Sequence, residues 1–280
     1  MAQFDKIVKR IEGLPTLPTV VARVNELVDD ASASAGDIND VLSRDLALSS
    51  KILKLVNSAF YGFPRRISSI THAVVILGFN TIRNIALSSF VIDAFQTKDL
   101  PFGHREFWLH SLGTAMATST LAHRRGQRAT EDAFMCGLLH DVGKLVMFQH
   151  LREDFARVLA RAETEDALLH EAEDEMLGID HAHVGSLLMD HWKLPTTMVE
   201  VIRCHHAPER AGEAKELAAL VHTGNLLAQS LLIGSGGNRR VAPIAPEARE
   251  ALALAPEDMP ALLEAIGEEL HKADAYLELI

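Results

Sequence analysis

An all-α fold, a helical bundle with an N-terminal helical subdomain, is predicted on three observations. Aromatic residues make up only 5% of the 280-residue chain although hydrophobic residues make up 48%. The core must therefore be built from Leu, Ala, Val and Ile, a palette that suits packed helices better than sandwiches of Val, Thr and Tyr. Apolar residues also return at spacings of three and four in segment after segment, and no stretch carries a convincing period-two strand pattern.

Taken in order, Phe4, Ile7, Val8 and Ile11 mark a first helix, stopped by Gly13 and the Leu14-Pro15-Thr16-Leu17-Pro18 turn. Val20, Val21, Val24, Leu27 and Val28 mark a second. A short helix is expected over 37–42 with Asp37 as its N-cap, and another over 46–56, ending in the turn Asn57-Ser58-Ala59-Phe60-Tyr61-Gly62. Helices over 73–77 and 82–94 are separated at Gly78. The stretch 98–105, with Pro101 and Gly103, is the expected boundary. Beyond it the period predicts helices over 106–125, 132–148, 154–161, 167–176, 181–192, 197–206 and 213–233. The Gly-rich turn 234–237 lacks the Lys-Ser/Thr ending of a phosphate loop and reads as a surface connection. Two closing helices follow within 246–280. The expected organisation is an N-terminal helical subdomain over 1–100, a helical subdomain over 101–233 and a C-terminal helical extension over 234–280.

Charge and composition bound the function. With 27 basic against 38 acidic side chains the net charge is −11, so the molecule as a whole repels nucleic acid and anionic membrane. Nucleic acid is not an expected partner. The N-terminus has no basic start leading into an apolar run, and no run reads as a membrane span. The two cysteines, Cys136 and Cys204, lie in apolar context outside any CxxC spacing. They fit buried thiols in a reducing compartment, and the expected location is cytoplasmic.

Fourteen histidines raise the question of whether they group. Glu106 and His110 are i,i+4 and share a helix face. His140-Asp141 interrupts an apolar helical run, with Lys144 one turn later. His181 opens a helix and His205-His206 closes one. Adjacent residues on a helix diverge by about 100°, so each doublet addresses two points in space, which suits two metal ions roughly 3.5–4 Å apart. Neutral imidazole and carboxylate are the usual ligands of such ions. The alternative is a buried, hydrogen-bonded histidine network without metal.

This order and spacing resembles the HD superfamily of metal-dependent phosphohydrolases, and is most similar to the ligand set of its HD-GYP phosphodiesterase branch. The last ligand of that branch is a carboxylate, where this chain has Asn225, and the Gly-Tyr-Pro segment is absent. Leu14-Pro15-x-Leu17-Pro18, Leu46-Ala47-Leu48-Ser49, the Asn57–Gly62 turn, Ala73-x-x-x-Leu77-Gly78, Gly137-Leu138-Leu139-His140-Asp141-Val142-Gly143 and Gly178-Ile179-Asp180-His181-Ala182-His183-Val184-Gly185 resemble the HDOD domain, the HD-related output domain of bacterial signalling proteins. The resemblance runs from about Leu14 to Asn225, and departs at Arg44-Asp45, where the family usually has Asp-Pro.

The resemblance implies an HD-superfamily-like helical bundle and a regulatory role as a binding or scaffold module, with a signalling protein or a nucleotide as partner. It implies metal ligands at Glu106, His110, His140, Asp141, His181, His205, His206 and Asn225, with His222 as a substitute imidazole, for one or two divalent ions, Fe or Mn. The catalytic alternative is a metal-dependent phosphohydrolase acting on a nucleotide or other phosphoester. In it Asp141 and Lys144 are the catalytic residues, and Lys144 offsets charge developing on the phosphoryl oxygens. Loss of the last carboxylate and of the Gly-Tyr-Pro loop argues against cyclic-di-GMP as substrate.

Overall fold

A computed structural model describes residues 13–97, 99–126 and 130–279; the helix expected over Phe4–Ile11 lies outside them. Among the described residues there is no strand. The helices are α1 (Thr19–Val28), α2 (Ala35–Leu42), α3 (Leu46–Val56), α4 (Ile70–Ala94), α5 (His104–Arg124), α6 (Thr130–Leu139), α7 (Val142–His150) and α8 (Arg152–Thr164). They continue with α9 (Leu169–Leu177), α10 (His181–His191), α11 (Thr196–Cys204), α12 (Lys215–Ser230), α13 (Pro246–Leu252), α14 (Met259–His271) and α15 (Asp274–Leu277). The described residues form two compact units, one within 16–96 and 267–279, the other within 13–15 and 97–266. The segment expected as a C-terminal extension is thus divided between them at residue 266.

In the first unit α1, α2 and α3 pack on α4 through Val24, Ile38, Leu42, Ile52, Leu55 and Ile82, all buried. Asp37 is not the N-cap of α2. Ser34 is, and Asp37 sits three residues in, its carboxylate accepting from the Ser34 N–H at 2.8 Å in a capping box. Asp45 caps α3 by accepting from the Leu48 N–H at 2.9 Å. The Asn57 motif has a mechanical reason. Its side-chain amide donates to the carbonyls of Leu53 at 2.6 Å and Ile67 at 2.8 Å, and accepts from the Ile67 N–H at 2.7 Å, closing the loop between α3 and α4. The two helices expected around Gly78 are present: they meet at a kink where Gly78 takes the non-helical φ 82 and ψ 169, and are numbered together as α4. Its two segments taken together are long and apolar enough to cross a membrane, by length and composition only, and 61% of their most apolar stretch is buried inside the protein.

In the second unit α5 packs along α6 and α12, while α10 packs on α7 and α11. The single helix expected over 132–148 is two, α6 and α7, with His140 and Asp141 at the break. Asp141 takes φ −98 and ψ 3, and no Pro or Gly in the doublet announces this. The next residue but one, Gly143, lets α7 and α10 touch backbone to backbone, since a Cβ there would lie 1.9 Å from the His181 carbonyl and 2.6 Å from the Gly185 nitrogen. Gly143→Ala is expected to destabilise this unit by at least about 1–3 kcal/mol through overpacking. Chemical denaturation of the variant measures this, and unchanged stability would show that the contact is not tight.

Candidate metal centre

Five histidines and one aspartate converge in the second unit. His110 comes from α5, His140 and Asp141 from the break between α6 and α7, His181 from the first residue of α10, and His205 and His206 from the turn after α11. His110, His140, Asp141, His181 and His205 have between 0 and 1% of their surface exposed, and His206 is half-buried. Two groups form whose ligand atoms lie within 4.8 Å of one another: His110, His140 and Asp141 in one, His181, His205 and His206 in the other. Asp141 stands between them. Its Oδ2 faces His140 Nε2 at 3.4 Å and His110 Nε2 at 3.6 Å, and its Oδ1 faces His181 Nε2 at 3.1 Å and His205 Nε2 at 3.9 Å.

The tautomers follow from the partners. A carbonyl can only accept, so His140 Nδ1 donates to Gly137 O at 2.8 Å and His205 Nδ1 donates to Ile202 O at 2.7 Å. In the neutral form of these rings the Nε2 left over carries a bare lone pair. Nε2 of His110, His140 and His205 are buried without a hydrogen-bond partner, as is Asp141 Oδ1. Orphaned buried acceptors are costly, and several of them converging on one carboxylate are the donor set a divalent ion requires. The residues present fit a metal.

The electrostatics agree with that fit. Burial pushes His110 down, and burial together with the neighbouring imidazoles pushes His205 and His206 well below the ordinary histidine range, so these rings are neutral. Burial alone would raise Asp141, but His140 and Lys144 beside it hold its carboxyl well below the usual range. His181 differs: burial opposes its charge, yet the Glu173 carboxylate raises it to about 9. Glu173 is fully buried on α9 and accepts from both the backbone N–H and Nδ1 of His181, at 2.8 and 2.6 Å. This fixes the ring with Nε2 toward Asp141 and His206, the carboxylate–histidine arrangement that orients metal ligands.

Two residues of the expected ligand set are placed otherwise. Glu106 is exposed on the first turn of α5, and belongs to neither group. The chain at 234–236 lies across that turn, with the Ser235 N–H donating to the Glu106 carbonyl at 2.9 Å. Asn225 is buried on α12, but its Oδ1 accepts from Gln229 Nε2 at 2.5 Å. His222 is no substitute, because its Nδ1 donates to His205 O at 2.9 Å and its Nε2 accepts from the Ala245 N–H at 3.1 Å. Lys144 is fully buried and donates to Asp141 Oδ2 at 2.7 Å and to Gly236 O at 2.9 Å. The Gly-rich turn is therefore not a mere surface connection. A Cβ on Gly236 would lie 2.7 Å from Asp141 Oδ2 and 2.9 Å from His110 Cδ2, so only glycine lets the backbone lie against the centre.

Sequence reasoning also passed over Glu173 and His170, both on α9. His170 stacks on His206 at 3.9 Å between centroids and 11° between planes, and burial, then His181, lowers it to about 4. Their i,i+3 spacing puts them on one helix face, and was the available signal.

Fold and site together define an all-helical protein with an HD-type cluster of histidine and aspartate. The chain belongs to the HDOD family, whose domain matches residues 14–208. It is 25% identical to an HDOD domain protein of unknown function from Geobacter sulfurreducens, with a TM-score of 0.75 covering 100% of this chain and 97% of that one. A candidate phosphohydrolase from Shewanella amazonensis SB2B is also 25% identical, with a TM-score of 0.69 covering 94% and 97% of the two chains. An uncharacterized protein of Treponema pallidum (strain Nichols) is 28% identical over 222 residues. That match takes in 79% of this chain and 43% of the relative, so the chain spans less than half the length of the curated relative it matches.

Glu173→Ala is expected to lower affinity for a divalent ion roughly 10–100-fold by freeing the His181 ring. Isothermal titration calorimetry with Mn(II) or anaerobic Fe(II) reads this, and an unchanged affinity would show that Glu173 does not orient a ligand.

Proposed function

We propose that this chain is a bacterial signalling or regulatory module that acts by binding, with a closed HD-type metal centre at its heart. The observation that carries the reading is closure. Every nitrogen and oxygen that would face the ion in the His110, His140 and Asp141 group belongs to a residue with at most 1% exposure, and the ammonium of Lys144 is already committed to Asp141 and Gly236. A phosphoester has no open approach to that group.

His110, His140, Asp141, His181, His205 and His206 would hold one or two ions, and of Fe and Mn the imidazole-rich donor set suits Fe. A bound ion supplies Lewis acidity toward a phosphoryl group. Lys144 holds the Asp141 carboxylate, Glu173 holds the His181 ring, and the backbone at Gly236 lies against Asp141 and His110. The partner in this reading is a signalling protein or a nucleotide. The net charge of −11 disfavours nucleic acid and anionic membrane as partners. Two free, buried thiols support a cytoplasmic setting.

A specific observation favours a second reading, a metal-dependent phosphohydrolase. Asp141 presents one oxygen to each histidine group, the arrangement of a carboxylate shared by two ions, and the Shewanella amazonensis relative is a candidate phosphohydrolase.

Metal analysis of protein purified without a metal-binding tag tests the centre. Iron or manganese near one ion per chain is expected, lost when His140→Ala and Asp141→Ala are combined; absence of metal, or metal unaffected by the double change, would sink the metal reading. With bis(p-nitrophenyl) phosphate as a generic diester the expected result is no turnover above background. Hydrolysis that disappears in the double variant would replace the binding module with the enzyme.

A further inference from the structure

The segment Gly234-Ser235-Gly236-Gly237-Asn238-Arg239-Arg240 crosses the centre without one apolar side chain. Nothing hydrophobic of its own anchors it, and it is held by polar contacts at two levels. On the inner side the Ser235 N–H donates to Glu106 O at 2.9 Å, and Gly236 O accepts from Lys144 Nζ at 2.9 Å. On the outer side Arg239 Nη1 pairs with Glu163 Oε1 at 2.8 Å, and Arg240 Nη1 donates to Asp166 O at 2.9 Å. The Arg239–Glu163 pair is 71% and 54% exposed, and ion pairs this open hold weakly. The segment also borders a cavity of about 280 Å³ lined by Phe102, Leu159, Leu169, Ser235, Asn238 and Arg239, among others. It is backed by open space as well as by packed core. Few buried apolar contacts and exposed polar ties are the marks of a locally opening segment.

What it covers decides what its opening would do. Gly236 lies against Asp141 Oδ2 and the edge of His110, and its carbonyl takes one of the Lys144 protons. An ammonium with no exposed surface, one turn from a carboxylate it already neutralises, has one remaining neighbour of opposite polarity, and that neighbour is a neutral carbonyl. An anionic oxygen in the same position would bind Lys144 more strongly, because hydrogen bonds between charged partners are roughly twice as strong as neutral ones.

We propose that residues 234–240 are a gate that acts as a built-in competitor: Gly236 O fills the position on Lys144 that an oxygen of a phosphate or phosphoester takes, and such an anion enters the His110–Asp141 half of the centre by displacing it. This rests on the reading of the centre as a closed binding site and adds its regulation. Closed-state population lowers the apparent affinity for the anion by the open fraction, so loosening the outer clamp must raise it.

The test uses the full chain and inorganic phosphate as probe. Arg239→Glu sets two carboxylates against each other at the clamp, at residues that belong to neither ligand group. Gly236→Ala lifts the segment from below by placing a Cβ against Asp141. Amide hydrogen exchange over 233–241 is expected to rise several-fold in both variants, and in the unaltered chain on adding phosphate. Phosphate affinity is expected to rise several-fold in Arg239→Glu. Faster exchange in Arg239→Glu with unchanged phosphate affinity would overturn the gate, as would exchange in the unaltered chain that phosphate does not move. If the protein carries no metal, the metal reading fails on its own. The competition between phosphate and Gly236 O is still decided by exchange and affinity, since it needs only Lys144 and the segment.

Discussion

Asp141 is a carboxylate with none of its surface exposed, and the second unit is arranged around satisfying it. Leaving such a charge unpaired costs several kcal/mol. Three structural features answer that cost. Lys144 is on the following turn, near enough to bond Oδ2 at 2.7 Å. His181, kept charged by Glu173, brings its Nε2 within 3.1 Å of Oδ1. The helix breaks at His140-Asp141, so the carboxylate can point between the elements that carry the histidine rings instead of running along the axis of one.

The break also explains why the surrounding elements approach so closely. Once α6 and α7 are separate, α7 is free to lie on α10, and Gly143 removes the Cβ that would collide with the His181 carbonyl. His181 is the first residue of α10, where the chain has just emerged from the Asp180 cap, so its backbone N–H is free to donate to Glu173. One carboxylate on α9 thereby sets both the start of α10 and the orientation of its first side chain. Fold and site are not separable here: the contacts that start the helix also aim the histidine.

The helices were legible in the sequence because their spacing records burial, and burial is what the apolar stripes of α1, α3, α11 and α12 are for. The histidine cluster was legible because doublets at helix ends and breaks are poor choices for a plain core. What escaped the reading depends on tertiary contact. The break at His140-Asp141 has apolar residues on both sides and no Pro or Gly inside it, so its period continues as if unbroken. Glu106 shares a helix face with His110 by spacing, but the backbone at 234–236 lies across that turn and Glu106 faces solvent. Gly236 carries no side chain to read; its part in the site is a carbonyl and the absence of a Cβ. Asp37 was read as a cap one turn too late because Ser34, the true cap, lies in a run of Ala and Ser that looks like linker.

The charges bear on how many ions the centre can take. Asp141 and Lys144 offset each other, and among the described residues Glu173 is the one further carboxylate that touches the ligand set. A single divalent ion leaves the buried centre with a small positive excess. A second ion would leave it strongly positive in surroundings with little water, which is expensive. The position where the resemblance expects another carboxylate holds Asn225, whose oxygen is engaged by Gln229, so the chain offers no further negative group there. Any fuller loading therefore needs an anion from outside. Gly236 O supplies Lys144 with a dipole of the right polarity but no charge, so it fills the geometry of an anion site without completing its electrostatics, and a phosphate oxygen does both.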